Sequence, residues 1–177
     1  MKQKEVDATL IPEPWGTQME NKGVGTILLD WDKIPPHNGD YPLTILVASD
    51  DFLNNHKEMA KQAVEANIEA IEFIKQNPDK SYELINNQLK KLSGKGLEQD
   101  LIKAAISRLH LTPDVSKNVL EEMAQVSIEN GFIKNVKPAE LDLSKFIDTS
   151  LLEEVKKEKE IKRRRPINEK AHLGTHC

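Results

Sequence analysis

This sequence has little cysteine, no long apolar run and no surplus of positive charge. The single cysteine is the last residue, Cys177. That excludes an internal disulfide and leaves the redox compartment unread. A thiol at the chain end is also no buried catalytic nucleophile. No apolar run approaches the ~18 residues that a bilayer-spanning helix needs. The formal net charge is -4, which gives the chain as a whole no electrostatic reason to bind nucleic acid. The first residues, Met1 to Asp7, are charged and carry no apolar segment, so they read neither as a secretory nor as a lipoprotein signal. Metal and phosphate motifs are missing too. The histidines His37, His56, His110, His172 and His176 lack zinc spacing with acidic or cysteine partners, and His172, His176 and Cys177 read as part of a flexible tail. Gly23-Val24-Gly25 lacks the third glycine of a dinucleotide site, and no Walker lysine with Ser or Thr follows Gly94-Lys95-Gly96. Asp30 and Asp32, beside Trp31, read as a surface pair rather than a general acid and base. No catalytic constellation, cofactor motif or internal repeat emerges.

What is present is a change of pattern along 177 residues, 38% of them hydrophobic and 31% charged. That length suits one domain or part of a two-lobed protein. Three short apolar runs come first: Ala8 to Ile11, Thr26 to Leu29 and Leu43 to Ala48. Bounded by Gly and Pro, they are expected to be buried strands. Between the second and third, Pro35 to Pro42 holds two leading prolines and an Asn-Gly pair and reads as a loop or crossover. From Ser49 the period becomes helical. Ala60, Val64, Ile68, Ile71 and Ile74 share one stripe. Asn77-Pro78 starts a second helix bearing Tyr82, Ile85, Leu89 and Leu92, which Ser93 to Gly96 breaks. A third carries Leu101, Ile102, Ala105, Ile106 and Leu109. A fourth is expected to start at Thr112-Pro113, to bury Val119, Leu120, Met123 and Ala124, and to stop at Gly131. Glu153 to Arg165 is nearly all charge and ends in Lys162-Arg163-Arg164-Arg165. It reads as a solvated helix fraying into a disordered end, rather than a basic patch for anionic lipid. The fold class expected from this layout is α/β, with few strands followed by a helix-rich C-terminal half. Three strands are few for the helices that must cover them, so the chain is expected to be the end of something longer.

A family resemblance fits that expectation. Val6-Asp7-Ala8-Thr9-Leu10-Ile11-Pro12-Glu13-Pro14-Trp15 resembles a signature, "DAA" with two apolar residues and "PEPW", of periplasmic binding proteins for aliphatic sulfonates, nitrate and taurine. Gly25 to Asp30 is similar to the family's "G-x-VLLD". Tyr41-Pro42-Leu43-Thr44-Ile45-Leu46-Val47-Ala48-Ser49-Asp50-Asp51-Phe52-Leu53 is similar to its crossover "YPTTVLVVSKDFL". The strings "FIKQNPDKSYELINNQL", "ISRLHLTPDV", "ENGFIK" and "FIDTSLLEEV" continue the series in order, so that it runs from about Asp7 to Val155. The residues from Arg163 to Cys177 match nothing in the family.

The resemblance implies the substrate-binding component of an ABC importer, present here as a truncated fragment, with Met1 falling just before the signature. It implies an incomplete type II periplasmic-binding-protein-like fold. Residues 1-42 would be a remnant of the second lobe of the ligand cleft, and 43-150 the C-terminal part of the first lobe with a helical extension. Residues 151-177 would be a charged tail. Such a protein is no enzyme and needs no cofactor or metal; its partners are a small sulfonate-like anion and a permease in the membrane, with no nucleic acid. The full-length protein would be extracytoplasmic, periplasmic or lipid-anchored. The candidate ligand-binding residues are Glu13, Pro14, Trp15, Tyr41 and Thr44. Trp15 offers an apolar wall, whereas a bare Glu13 carboxylate would repel an anion and is assigned a loop-shaping role. Tyr41, Pro42 and Thr44 fall where the chain should pass between lobes, and Thr17 is placed to cap the helix after Trp15. Two other readings compete. One is a helical protein-interaction module without a small-molecule ligand. The other, less favoured, is an enzyme of the related pyrimidine-synthase branch, which would need a cleft rich in His and Cys.

Overall fold

The computed structural model describes residue 3 and residues 5–34, 41–137, 140–144 and 146–164. Seven α-helices run through them: α1 (Trp15–Asn21), α2 (Asp50–Asn55), α3 (Lys57–Gln76), α4 (Pro78–Ser93), α5 (Gln99–Ser107), α6 (Lys117–Glu129) and α7 (Ser150–Arg164). A 3-10 turn covers Trp31–Lys33. No described helix is long and apolar enough to cross a membrane.

The helix boundaries follow local chemistry. Ser49 starts α2, its hydroxyl accepting a hydrogen bond from the Phe52 N–H, with Asp50 and Asp51 in the first turn where the helix dipole favours negative charge. Pro78 takes the first position of α4, where a missing N–H costs nothing. Asn77 makes no side-chain cap there; instead the buried Ser81 hydroxyl donates to the Asn77 carbonyl at 2.7 Å. Gly94, at φ 74°, closes α4 in the left-handed conformation that glycine adopts without penalty. The Asn86 amide then grips the turn into α5, donating to the Leu97 carbonyl at 2.7 Å and accepting from the Leu97 N–H at 2.8 Å. Helix α6 starts at Lys117 with Ser116 as its cap, not at Thr112-Pro113 as the sequence suggested. Thr112 accepts from the Asp114 N–H and shapes the turn ahead of the helix.

The charged run from Glu153 was expected as a solvated helix fraying into a tail, not as a packed element. Its first part folds as α7, which packs along α3. Val155 is 1% exposed and, with Leu152, Ile68 and the half-buried Val64, forms a small apolar cluster. Charges flank this seam. Lys61 bridges Glu154 and Glu158, each at 2.7 Å, while Lys159 reaches Glu69 and Glu72 and Arg163 reaches Glu72. Low-numbered residues of α3 meet low-numbered residues of α7 and high meet high, so the two helices run side by side in the same direction. The remainder of the basic run, from Arg165, lies outside the described residues.

The α/β expectation, an incomplete type II fold with a few strands, is overturned. Among the described residues there is no strand and no sheet. The runs Ala8–Ile11, Thr26–Leu29 and Leu43–Ala48 are unpaired, and much of their apolar surface is bare, with Leu28 83% and Leu46 62% exposed. The reason is physical. An apolar run marks a segment that gains by burial, but a strand exists only as part of a hydrogen-bonded pair. The chain brings none of these runs alongside another in a ladder. They line a trough of about 2680 Å³ instead, Leu10, Leu28 and Leu46 among them, together with the helix residues Val64, Ile71 and Leu120.

Candidate functional site

The Pro12-Glu13-Pro14-Trp15 segment makes a tight turn into α1. The Trp15 N–H donates to the Pro12 carbonyl at 3.1 Å, the Gln18 N–H donates to the Pro14 carbonyl at 3.0 Å, and the Glu13–Pro14 peptide is cis. Both prolines deny the turn a backbone donor. One free N–H in the first helical turn, that of Thr17, is taken by the Glu13 carboxylate at 3.1 Å, an interaction that also suits the positive end of the helix. Glu13, not Thr17, therefore satisfies the start of α1. Gly16 makes room for it, since a Cβ at that position would lie 3.0 Å from Glu13 Oε1.

The second Glu13 oxygen faces Arg108, the residue that ends α5. Arg108 is the centre of the most elaborate charge cluster near this turn. Its Nη1 donates to the buried Thr17 hydroxyl at 3.0 Å and lies 3.5 Å from Glu13 Oε1. Its Nη2 donates to Glu20 Oε2 at 3.1 Å, and its Nε lies 3.6 Å from Asp30 Oδ2. The planar fork of a guanidinium can satisfy several acceptors in fixed directions at once, which an ammonium cannot. Burial pushes the Arg108 pKa down, but the Glu20 hydrogen bond and the charges of Asp30, Glu20 and Glu13 outweigh it and hold it above its ordinary value. Arg108 thus stays cationic throughout, and its positive charge is fully engaged.

The sequence candidates divide into two groups. Glu13, Tyr41 and Thr44 all line the trough, together with Pro42 and Arg108. Pro14 and Trp15 are not among its lining residues, and Trp15 is 56% exposed. Carboxylates outnumber basic groups on this lining, where Arg108 and His110 are the basic residues. No group of three or more His, Cys, Asp or Glu side chains disposed to hold a metal occurs among the described residues. All their buried side-chain polar atoms have partners.

Two features escaped the sequence reading. Arg108 sits inside the string "ISRLHLTPDV", where a lone cation follows an apolar helix face. Because an arginine is rarely buried without acceptors, its position at the end of that face was the available signal. Asp148, within "FIDTSLLEEV", accepts from the Ser150 N–H at 2.8 Å and shapes the entry to α7. The Ser150 backbone and hydroxyl hydrogen bonds hold the Asp148 carboxyl below its ordinary range.

Residues 1–86, just under half of the chain, match the NMT1-like family. No curated protein and no solved structure matches the chain. The matched stretch contains all five candidate residues and ends within α4.

Proposed function

Starting from residues 1–86 as a segment of the NMT1-like family, the family of nitrate-, sulfonate- and taurine-type ABC substrate-binding proteins, we propose that this chain is part of the ligand-capturing component of an ABC importer. Its ligand is a small anion of the aliphatic sulfonate type. In this reading residues 1-42 and 43-150 belong to opposite lobes of a cleft, and segments outside this chain fill the trough. The full-length protein works outside the cytoplasm and delivers its ligand to a membrane permease. It carries out no covalent chemistry. Closure of a cleft strips water from the anion, and hydroxyl and backbone donors replace that water.

The observation that supports this reading is the trough. The three runs that carry the family-like motifs converge on it with their apolar side chains bare, and Glu13, Tyr41 and Thr44 lie on its lining. A domain that is complete in itself rarely leaves so much contiguous apolar surface open. Tyr41 and Thr44 supply hydroxyl donors. Glu13 is held by Arg108 and the Thr17 N–H, so it sets the shape of the turn rather than meeting the ligand.

One observation favours the helical interaction module: the described residues form helices without any sheet. A thermal melt of the purified chain, alone and with taurine, alkanesulfonates and nitrate, separates the readings. Because a ligand that binds only the native state raises stability, a rise of several degrees with one anion establishes capture by this chain. A broad transition with self-association, unmoved by any of them, is expected if the trough needs further chain. A sharp monomeric melt unmoved by the whole panel supports the interaction module and refutes the proposal.

A further inference from the structure

We propose that Arg108 is a positioning residue, the clamp that fixes residues 1-42 against the helical body and so sets the orientation of the Pro-Glu-Pro-Trp turn at the trough. The inference rests on the division at residue 42 proposed above. The geometry of one side chain carries it. Arg108 belongs to the helical stretch, yet the acceptors and anions that surround it, Glu13, Thr17, Glu20 and Asp30, all come from the first 42 residues. They come from different places: the turn before α1, the body of α1 and the end of the second apolar run. A single guanidinium therefore triangulates the N-terminal stretch, gripping it at points that a single hydrogen bond would leave free to pivot.

Packing concentrates the load there. Helix α1 rests on α5, the helix that Arg108 terminates. The Arg108 side chain is only 21% exposed and that of Glu13 only 11%, so bulk water competes weakly for these contacts. Thr17, which receives the Nη1 hydrogen bond, is 2% exposed. Within the turn, the same Glu13 carboxylate that meets Arg108 also holds the Thr17 N–H. Releasing Arg108 therefore loosens both the seat of α1 and the turn in front of it. In a protein that works by moving two lobes about a cleft, a contact of this kind fixes one lobe arrangement against others.

The test places spin labels on the two sides of the clamp. In a C177S background of the full chain, cysteines replace the exposed Lys22, just after α1, and Lys91, near the end of α4. Pulsed electron spin resonance reads the distance distribution, and circular dichroism reads helix content in the same samples. The expected result is one narrow distribution for the parent, at least twofold broader for Arg108→Met, and intermediate for Arg108→Lys, which keeps the charge but loses the fork. Helix content is expected to stay unchanged throughout. A distribution that Arg108→Met leaves as narrow as the parent's overturns the clamp, and so does a parent distribution already as broad as the variant's. Loss of most helical signal in Arg108→Met would instead show the two stretches to be one cooperative unit. That outcome removes the division at residue 42 and the clamp with it. Glu20→Gln, which trims one acceptor from the same guanidinium, checks the origin of the effect. It is expected to broaden the distribution less than Arg108→Met, and equal broadening counts against triangulation.

Discussion

Replacing Val155 by Ala tests what holds α7 to the body of the protein. Two candidates lie side by side: the apolar seam of Ile68, Leu152, Val155 and Val64, and the flanking ion pairs. Val155 is 1% exposed. Its two γ-methyls are worth roughly 0.8 kcal/mol each in transfer free energy. The space they leave adds about 24 cal/mol per Å³ of cavity that fails to collapse, bringing the loss to ~2–3 kcal/mol. By contrast, Lys159 reaches Glu69 and Glu72 at 3.4 Å, and those glutamates are 61% and 35% exposed. Ion pairs of that kind contribute ~1 kcal/mol or less, because water and salt screen them and two long side chains must be ordered. Amide hydrogen exchange across α7 measures the difference, since local opening free energy sets the protection. Val155→Ala is expected to speed exchange in α7 roughly 30- to 150-fold, at about 1.4 kcal/mol per factor of ten. Lys159→Met is expected to speed it roughly fivefold or less. If Lys159→Met, or 1 M NaCl on the unmodified chain, releases α7 as strongly as Val155→Ala does, the seam is not the anchor and the reasoning fails.

Docking of α7 should also depend on pH in a set direction. The Lys61 hydrogen bonds hold Glu154 below its ordinary 4.5, and Glu154 with Glu158 holds Lys61 above its ordinary 10.5. A lowered carboxyl stabilises the fold above its ordinary value and loses that contribution as pH falls through the lowered one; a raised amine does the reverse as pH rises through its raised one. Exchange in α7 should therefore be insensitive to these two groups between 4.5 and 10.5, once corrected for intrinsic rates, and should accelerate on the acid side as Glu154 and Asp148 take up protons. A step near neutral pH would point to a different group. Gly16→Ala would bring a methyl to 3.0 Å from Glu13 Oε1, so the carboxylate must give by a few tenths of an ångström, loosening its hold on Arg108 and the Thr17 N–H. The expected cost is ~1–2 kcal/mol, seen as faster exchange confined to α1 and the turn before it; exchange unchanged there would mean that Glu13 shifts freely and holds nothing.

The helices were readable wherever the signal was local. The stripe from Ala60 to Ile74 fell within α3, Pro78 marked the first residue of α4, and the break expected from Ser93 to Gly96 fell at its end, where Gly94 turns left-handed. In each case the determinant is a period of side chains or one residue's backbone preference, both present in a short window. The start of α6 was misplaced because Thr112-Pro113 and Ser116 both offer a plausible cap. Only the competition between them, settled by the Ser116 hydroxyl on the Val119 N–H, decides which one begins the helix. The docking of α7 was hidden for a different reason. Leu152 and Val155 are sparse apolar positions among charges, and the acids that receive Lys159 and Arg163 lie on α3, far away in sequence. The strand expectation erred because an apolar run records a demand for burial without naming what will meet it. In this chain that demand is unmet at Leu10, Leu28 and Leu46.

The candidate site repeats the same lesson with charges. Glu13 stands out in the sequence because two prolines and a tryptophan surround it, yet its carboxylate is committed on both oxygens before any ligand arrives. The residue that commits it, Arg108, carries no motif and lies more than ninety positions away. Around that arginine, Glu13, Glu20 and Asp30 leave a local excess of negative charge. An anion is therefore not drawn to this end of the trough by Arg108, whose field the carboxylates already cancel. If the proposed function holds, its anion is bound by neutral donors, the Tyr41 and Thr44 hydroxyls among them, together with donors supplied from beyond this chain. Arg108 and its carboxylates then hold the shape of the site, and the recognition chemistry lies elsewhere on the lining.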